Sequence, residues 1–362
     1  MLGGVHAAVD LACAFVLFRD LDAPGAEPIV VATWIVVYDS LAFAAQLPLA
    51  LLGDRLAAYR AMSLAGVAIV LAALWIGPTA PRGAAVTAGV GNSLFHVGAG
   101  AHVLRASGPR AAEVGFFVGP GALGLSLGIL LGHGTAPCRA PLAAALLGAI
   151  LGVAWAVRPA GSSETDRAGQ RSGIPATAAW IGVGLLLLTV ALRSAIGDNL
   201  AAPWRARSAT ITAALAIAAT VGKIAGGAVA DRLGWVRTGG SALALAAPLV
   251  ALGPQHPFAA FVGMLLLQST TPLTVKAIHA VIPSRPGLAF GAPSAALLLG
   301  SLPGLLGAWL HPVRPALLGA TLLSAAAVVA GLFTARRRSD IIQPTLQAEH
   351  PERVSSPRGE RW

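Results

Sequence analysis

The chain has 362 residues, of which 56% are hydrophobic and only 11% charged, with a mean hydropathy of +0.74. This balance excludes a water-soluble domain, whose helices need polar faces, because stretches such as Leu142 to Val157 and Thr177 to Val190 carry no charge. The net charge of +10 does not mark a nucleic-acid binder, since the basic residues stand singly between apolar runs, and the two cysteines, Cys13 and Cys138, make no disulfide framework or thiolate metal site.

The first apolar run, 2–18, lacks a basic leader and carries His6 and Asp10 in its middle, so it reads as a retained first helix and not as a signal peptide. About 30 Å of hydrocarbon needs about 20 helical residues. By that measure further spans follow at 28–52, 60–77, 84–104, 114–132 and 141–157. Residues 158–176 contain Gly-Ser-Ser-Glu-Thr-Asp and read as a flexible linker. Six more spans follow at 177–197, 208–230, 238–253, 257–280, 286–309 and 315–334. From Arg336 the chain turns polar, which predicts a disordered tail over 336–362. The expectation is an all-α membrane protein of twelve spans in two six-helix bundles, 1–157 and 177–335.

Arginine placement sets the orientation. With the N-terminus inside, ten loop arginines fall on the inner side and six on the outer, and the tail adds more inside. Both termini are expected in the cytoplasm and the chain in the cytoplasmic (inner) membrane.

One stretch repeats. Asp54-Arg55-Leu56 after the second span matches Asp231-Arg232-Leu233 after the eighth, 177 residues later, and each is followed by a further arginine, Arg60 or Arg237. A carboxylate there can face the N-terminal dipole of another helix while the arginines stay with the cytoplasm. The second copy, Gly227 to Arg237, resembles the signature loop of the major facilitator superfamily; the first departs from it, with Ala50 and Ala57 in place of both glycines. The resemblance implies secondary transport by alternating access around a midplane cavity. It also implies a latch role, holding the halves together, for Asp54, Arg55, Asp231 and Arg232, and less directly for Arg60 and Arg237.

The fifth span carries Gly115, Gly119, Pro120 and Gly124, which resembles the glycine-proline motif of drug/proton antiporters in that superfamily, with Leu123 where a glycine is expected. Glycines four apart let helices approach closely and proline lets one bend, as suits a seam between moving parts. The eleventh span echoes it with Gly291-Ala292-Pro293. Gly91 to Gly98 is similar, over fewer than ten residues, to the fourth span of fosmidomycin-resistance-type efflux proteins.

Ionisable groups at membrane depth mark function by default. His6 and Asp10 share one face of the first span, Asn92 and His96 one face of the fourth, and Asp39 and His96 lie about 18 Å from their outer ends at helical rise. Asp10, Asp39, His96 and His6 are therefore the proton-coupling candidates. A satisfied structural network is the alternative. Asn92, with Gln268, Ser269, Thr270 and Thr271 beside Pro272, supplies the substrate-contact candidates. Lys223, Lys276 and Arg193 have stems long enough to snorkel to the interface, and a lysine facing the cavity instead would favour an anionic substrate. No phosphate loop, hydrolase elbow or linear metal-ligand spacing occurs, so no enzyme activity, cofactor or metal is expected. The expected partners are a small-molecule substrate, protons and the lipid bilayer, with no nucleic acid, and the chain is expected to act as a monomer. The favoured function is proton-coupled efflux of a small organic molecule; uptake by symport or uniport of a metabolite or organic anion is the runner-up, and a membrane receptor or scaffold the alternative of another class.

Overall fold

The computed structural model describes residues 1–23, 25–157, 177–305 and 314–349, the side chains of residues 305 and 336–349 excepted. The expected linker at 158–176 lies outside the described residues. In chain order the first half holds α1 (Leu2–Val16, running on through a π turn at Leu17–Leu21), α2 (Pro28–Asp39), a π turn (Ser40–Ala44), α3 (Gln46–Leu56), α4 (Tyr59–Ile76), α5 (Pro81–Ala106), α6 (Ala112–His133) and α7 (Arg139–Ala156). The second holds α8 (Thr177–Arg207), α9 (Ala209–Leu233), α10 (Trp235–Leu252), α11 (Pro257–Gln268), α12 (Thr271–Val281), α13 (Pro286–Leu305) and α14 (Arg314–Glu349). Helices α2 and α3 together make the second span, and α11 and α12 the tenth.

Among the described residues, eleven segments are long and apolar enough to cross a membrane. The twelfth span is α5, whose 26 residues cover about 39 Å but include Asn92, Ser93, His96 and five glycines. A helix enclosed by others needs no lipid-facing apolar surface, and the run from Phe95 to Ala101 is buried throughout. The apolar residues that do face outward, such as Leu151, Trp155, Phe258 and Leu299, form the surface that lipid must solvate.

Several boundaries differ from the expectation. Helix α8 runs ten residues past the expected end at 197, through Pro203 to Arg207, so Arg205 and Arg207 belong to a helical turn and not to a loop. The tenth span breaks at Ser269–Thr270, just before Pro272, because a proline in the second half lacks the N–H that would continue the first. Helix α14 continues to Glu349, past residue 335 where the polar composition predicts disorder.

Glycines set the packing. Helix α6 changes partner half-way along: Gly115 and Gly119 abut Lys223 and Ile224 of α9, whereas Gly124 and Gly128 abut the Ala7 and Leu11 carbonyls of α1. Helix α13 does the same in mirror order, with Gly287 and Gly291 against α3 and Gly300 against Ala191 of α8. Both helices touch the opposite half near the Asp-Arg loops and their own half further on. These contacts join the halves at the loop end.

Candidate coupling site and latch

Each Asp-Arg loop places its aspartate on a helix of the other half. Asp54 Oδ1 and Oδ2 accept hydrogen bonds from the Gly287 and Leu288 backbone N–H groups, at 2.7 and 2.9 Å, at the start of α13. Asp231 accepts from the Ala111 and Ala112 N–H groups, at 2.8 and 2.9 Å, at the start of α6. The first N–H groups of a helix have no partner within it, so a carboxylate satisfies them and complements the dipole as well. Each aspartate takes one further donor, Tyr59 Oη at 2.7 Å for Asp54 and Trp235 Nε1 at 3.2 Å for Asp231. These two aromatics are not among the motif residues read from the sequence, although they stand at nearly the same place in each copy.

The arginines of the motif act differently. Arg60 donates to the Ala154 carbonyl at the end of α7, inside its own half, at 2.9 Å. Arg55, Arg232 and Arg237 are exposed and make no hydrogen bond or ion pair among the described residues. Lys276, expected to snorkel, is buried and crosses between halves, donating to the Leu104 carbonyl at 2.9 Å and to Ser107 Oγ at 2.7 Å. It thereby caps the negative end of α5.

In the membrane interior, the His6/Asp10 face of α1 meets the Asn92/His96 face of α5. His6 Nε2 lies 3.1 Å from Asp10 Oδ2 and 2.8 Å from His96 Nε2, and His96 Nε2 lies 3.6 Å from Asp10 Oδ1. Asn92 Nδ2 donates to Asp10 Oδ1 at 3.1 Å. His6, Asn92 and His96 are buried and Asp10 nearly so. Gly121 of α6, which no motif singled out, makes room for the cluster: a Cβ there would overlap His6 Nε2 and sit 2.6 Å from Asp10 Oδ2.

The outer ring nitrogens fix the tautomers. His6 Nδ1 is 2.8 Å from the Phe117 carbonyl oxygen, and His96 Nδ1 is 2.8 Å from the Asn92 carbonyl oxygen. A carbonyl only accepts, so each Nδ1 carries the hydrogen. In the neutral rings both Nε2 atoms then present lone pairs to one another beside a carboxylate. That contact is repulsive until a cation enters it. One proton converts it into an Nε2–H⁺···Nε2 hydrogen bond with Asp10 as counter-charge.

Of the other candidates, Asp39 stands apart from this cluster, within electrostatic reach of Asp198 on α8 in the other half. Gln268 and Thr271 bond to each other at 3.1 Å. Thr270 is fully buried and accepts from Arg193 Nη1 at 2.9 Å, so Arg193 does not snorkel either. The backbone of Ser269 abuts Gly226 of α9, and its hydroxyl donates to the Leu266 carbonyl at 2.7 Å. Of the seam motif, Gly115 and Gly119 face α9, while Pro120 lies near Gly3 of α1 and Gly124 against Ala7.

No family model and no curated protein sequence matches the chain. Solved structures do match in shape. The human organic anion transporter MFSD10 (TETRAN) superposes with a TM-score of 0.67 at 13% identity, over 92% of this chain and 98% of that one. The E. coli fucose:proton symporter FucP gives 0.63 at 11% identity, over 93% and 97%, and its outward conformation is described as that of a major facilitator superfamily transporter. The fold is that of the major facilitator superfamily. A bacterial homologue of the iron transporter ferroportin, outward-facing, gives 0.56 at 15% identity, over 94% and 99%. In this fold the chain's two aspartate contacts between the halves lie at one end, and its His-Asp-His cluster lies within the first six spans, on the first and fourth.

Proposed function

We propose that the chain is a secondary active transporter working by alternating access, with the coupling proton held between His6 and His96 against Asp10. The observation that carries this is the pair of Nε2 lone pairs 2.8 Å apart beside a carboxylate. A site that must hold a cation to be at rest, on helices that belong to one half, is a natural sensor of which side that half faces. The mode is antiport: a proton and a small solute compete for one conformational cycle, and the solute leaves the cell. The two latches and Lys276 hold the halves together on the side of the Asp-Arg loops. We place that side, with both termini, in the cytoplasm of a cell with this chain in its inner membrane, which makes the structure outward-facing.

A second reading has its own observation. Arg193 is buried and, among the described residues, makes a single hydrogen bond, to a neutral hydroxyl, and it acts electrostatically on Lys223 of α9. Two under-neutralised cations suit uptake of an organic anion.

The test uses proteoliposomes with an imposed pH gradient, an internal pH dye and a panel of lipophilic cations and organic anions. Compound-dependent collapse of the gradient is expected, lost in Asp10→Asn and kept in Asp39→Asn. Collapse that survives in Asp10→Asn overturns the assignment of the proton to this cluster, and collapse with anions alone favours the second reading.

A further inference from the structure

We propose that His6, Asp10 and His96 form the binding site of one divalent transition-metal ion of the zinc class, and that this ion is the exchanged cargo, a claim that rests on the alternating-access reading above. The three donor atoms lie within 4.8 Å of one another. A tetrahedral ion bound at 2.0–2.2 Å by imidazole and carboxylate keeps its donors about 3.3 Å apart. The two Nε2 atoms are 2.8 Å apart, and they lie 3.1 Å from Asp10 Oδ2 (His6) and 3.6 Å from Asp10 Oδ1 (His96), so a turn of the carboxylate and side-chain shifts of about half an ångström seat an ion.

The groups behind the two imidazoles are already those of a metal site. Metal-binding histidines tie the other ring nitrogen to a backbone carbonyl or carboxylate, which fixes the tautomer and raises the basicity of the ligand. Both imidazoles do so here, through Phe117 and Asn92. A fourth donor is at hand. Asn92 Oδ1 is buried without a hydrogen-bond partner, on the same amide whose Nδ2 sits on Asp10, and a turn of that amide presents the oxygen to the ion. Two imidazoles with two oxygens suit zinc, cobalt, nickel or iron(II) and not magnesium or calcium, which take oxygen alone.

The surroundings narrow the role further. Phe95 meets His6 edge-on and Phe117 meets it at a tilt, and Phe290 of α13 packs on Phe117 from the other half, so apolar rings adjoin the cluster. The remaining ionisable neighbours are the Cys13 thiol, 3.8 Å from Asn92, Tyr38 of α2 and Lys223 of α9. Lys223 acts on both Asp10 and His96 from the opposite half and opposes a bound cation. A site with one carboxylate and an opposing ammonium binds an ion loosely enough to release it, as cargo requires. The ligands come from two helices that are distant in sequence, which is why no linear spacing announces them.

The experiment is titration of the purified full chain, carrying a tag without histidine, with Zn²⁺ by calorimetry and with Co²⁺ by its visible d–d absorption. About one ion per chain is expected, with a Kd of about 1 µM or tighter. Affinity should fall at least about tenfold in His6→Gln and in His96→Gln and hold in His133→Gln and Asp39→Asn. A His6→Cys variant, which keeps a ligand, should retain Co²⁺ with a thiolate charge-transfer band, separating lost ligation from lost folding. No stoichiometric binding, or binding unchanged in both Gln variants, overturns the site. Zn²⁺ movement driven by a pH gradient in proteoliposomes supports the cargo claim; binding without movement overturns that claim. If a pH gradient still collapses with organic compounds but no metal binds, the metal site falls and the proton site stands.

Discussion

The two halves are alike at the loop end and unlike in the membrane interior. At the loop end each contributes an aspartate to a helix start of the other, with matching N–H pairs and one aromatic donor. In the interior the first half holds a His-Asp-His cluster, whereas the second holds an arginine on a threonine and a broken helix. In the alternating-access reading proposed above, gating has to be symmetric, because both halves would close and open the same end. Chemistry does not, because one coupling site would serve the whole cycle. A duplicated chain can therefore keep its latches and diverge in its core.

The largest effect that could break this comparison is expected at Asp10. Asp10→Asn leaves a proton between the imidazoles without its counter-charge, and removing one partner of a buried charge pair costs about 3–5 kcal/mol. Transport should fall by about two orders of magnitude or more, read as initial rate in proteoliposomes, while Arg193→Gln changes apparent substrate affinity and leaves proton movement intact.

Latch variants come next. Asp54→Ala and Asp231→Ala each remove two charge-assisted hydrogen bonds between the halves, besides one to an aromatic of the same half, each bond worth about 1.5–3 kcal/mol. Each should shift the population away from the closed loop end by about tenfold or more, read as increased thiol labelling of Ser284→Cys, beside Asp54 and Arg55 on that side. Equal shifts for the two variants sharpen the symmetry; an effect from only one breaks it.

Two glycines give intermediate effects. Gly121→Ala pushes a methyl onto His6 and Asp10 and should impair coupling more than folding. Gly124→Ala meets the rigid Ala7 carbonyl and should lower thermal stability by about 1–3 kcal/mol with coupling retained in the folded fraction. Transport rate and Tm of both variants separate the two.

The smallest effect concerns the imperfect first copy of the loop motif. Ala57 ends α3 with a φ of 49°, the left-handed conformation that its counterpart position in the second copy leaves to Gly234 at φ 93°. Ala57→Gly should stabilise the chain by up to about 1 kcal/mol, seen as a small rise in Tm.

Much of the fold was legible because lipid writes it plainly. Uncharged runs of helix length, one polar interruption at 158–176 and a repeated Asp-Arg pair give twelve spans in two halves. Span α5 illustrates the limit, since a helix enclosed by its neighbours loses the hydropathy that reveals the others. His6, Asp10, Asn92 and His96 could be picked out because ionisable and amide groups are scarce at that depth. Their convergence could not, because it depends on the rotation of α1 against α5 and on Gly121 of a third helix. Asp39 passed the same depth criterion and yet lies outside the cluster, within electrostatic reach of Asp198, since depth along a helix says nothing about direction around it. Lys276 and Arg193 misled for the same reason: a long stem can reach the interface or a buried carbonyl, and packing decides which.

The central claim is that a cation on the His6–Asp10–His96 cluster sets which end of the transporter is open. It is tested most directly by spin-label distances across the far end, between Thr79→Cys of the first half and His256→Cys of the second, in a chain with Cys13 and Cys138 replaced. The account predicts that the distance distribution shifts between pH 5 and pH 8 in the otherwise native chain and in Asp39→Asn, and stays fixed in Asp10→Asn. A distribution that ignores pH in the native chain, or that shifts equally in Asp10→Asn, would contradict it.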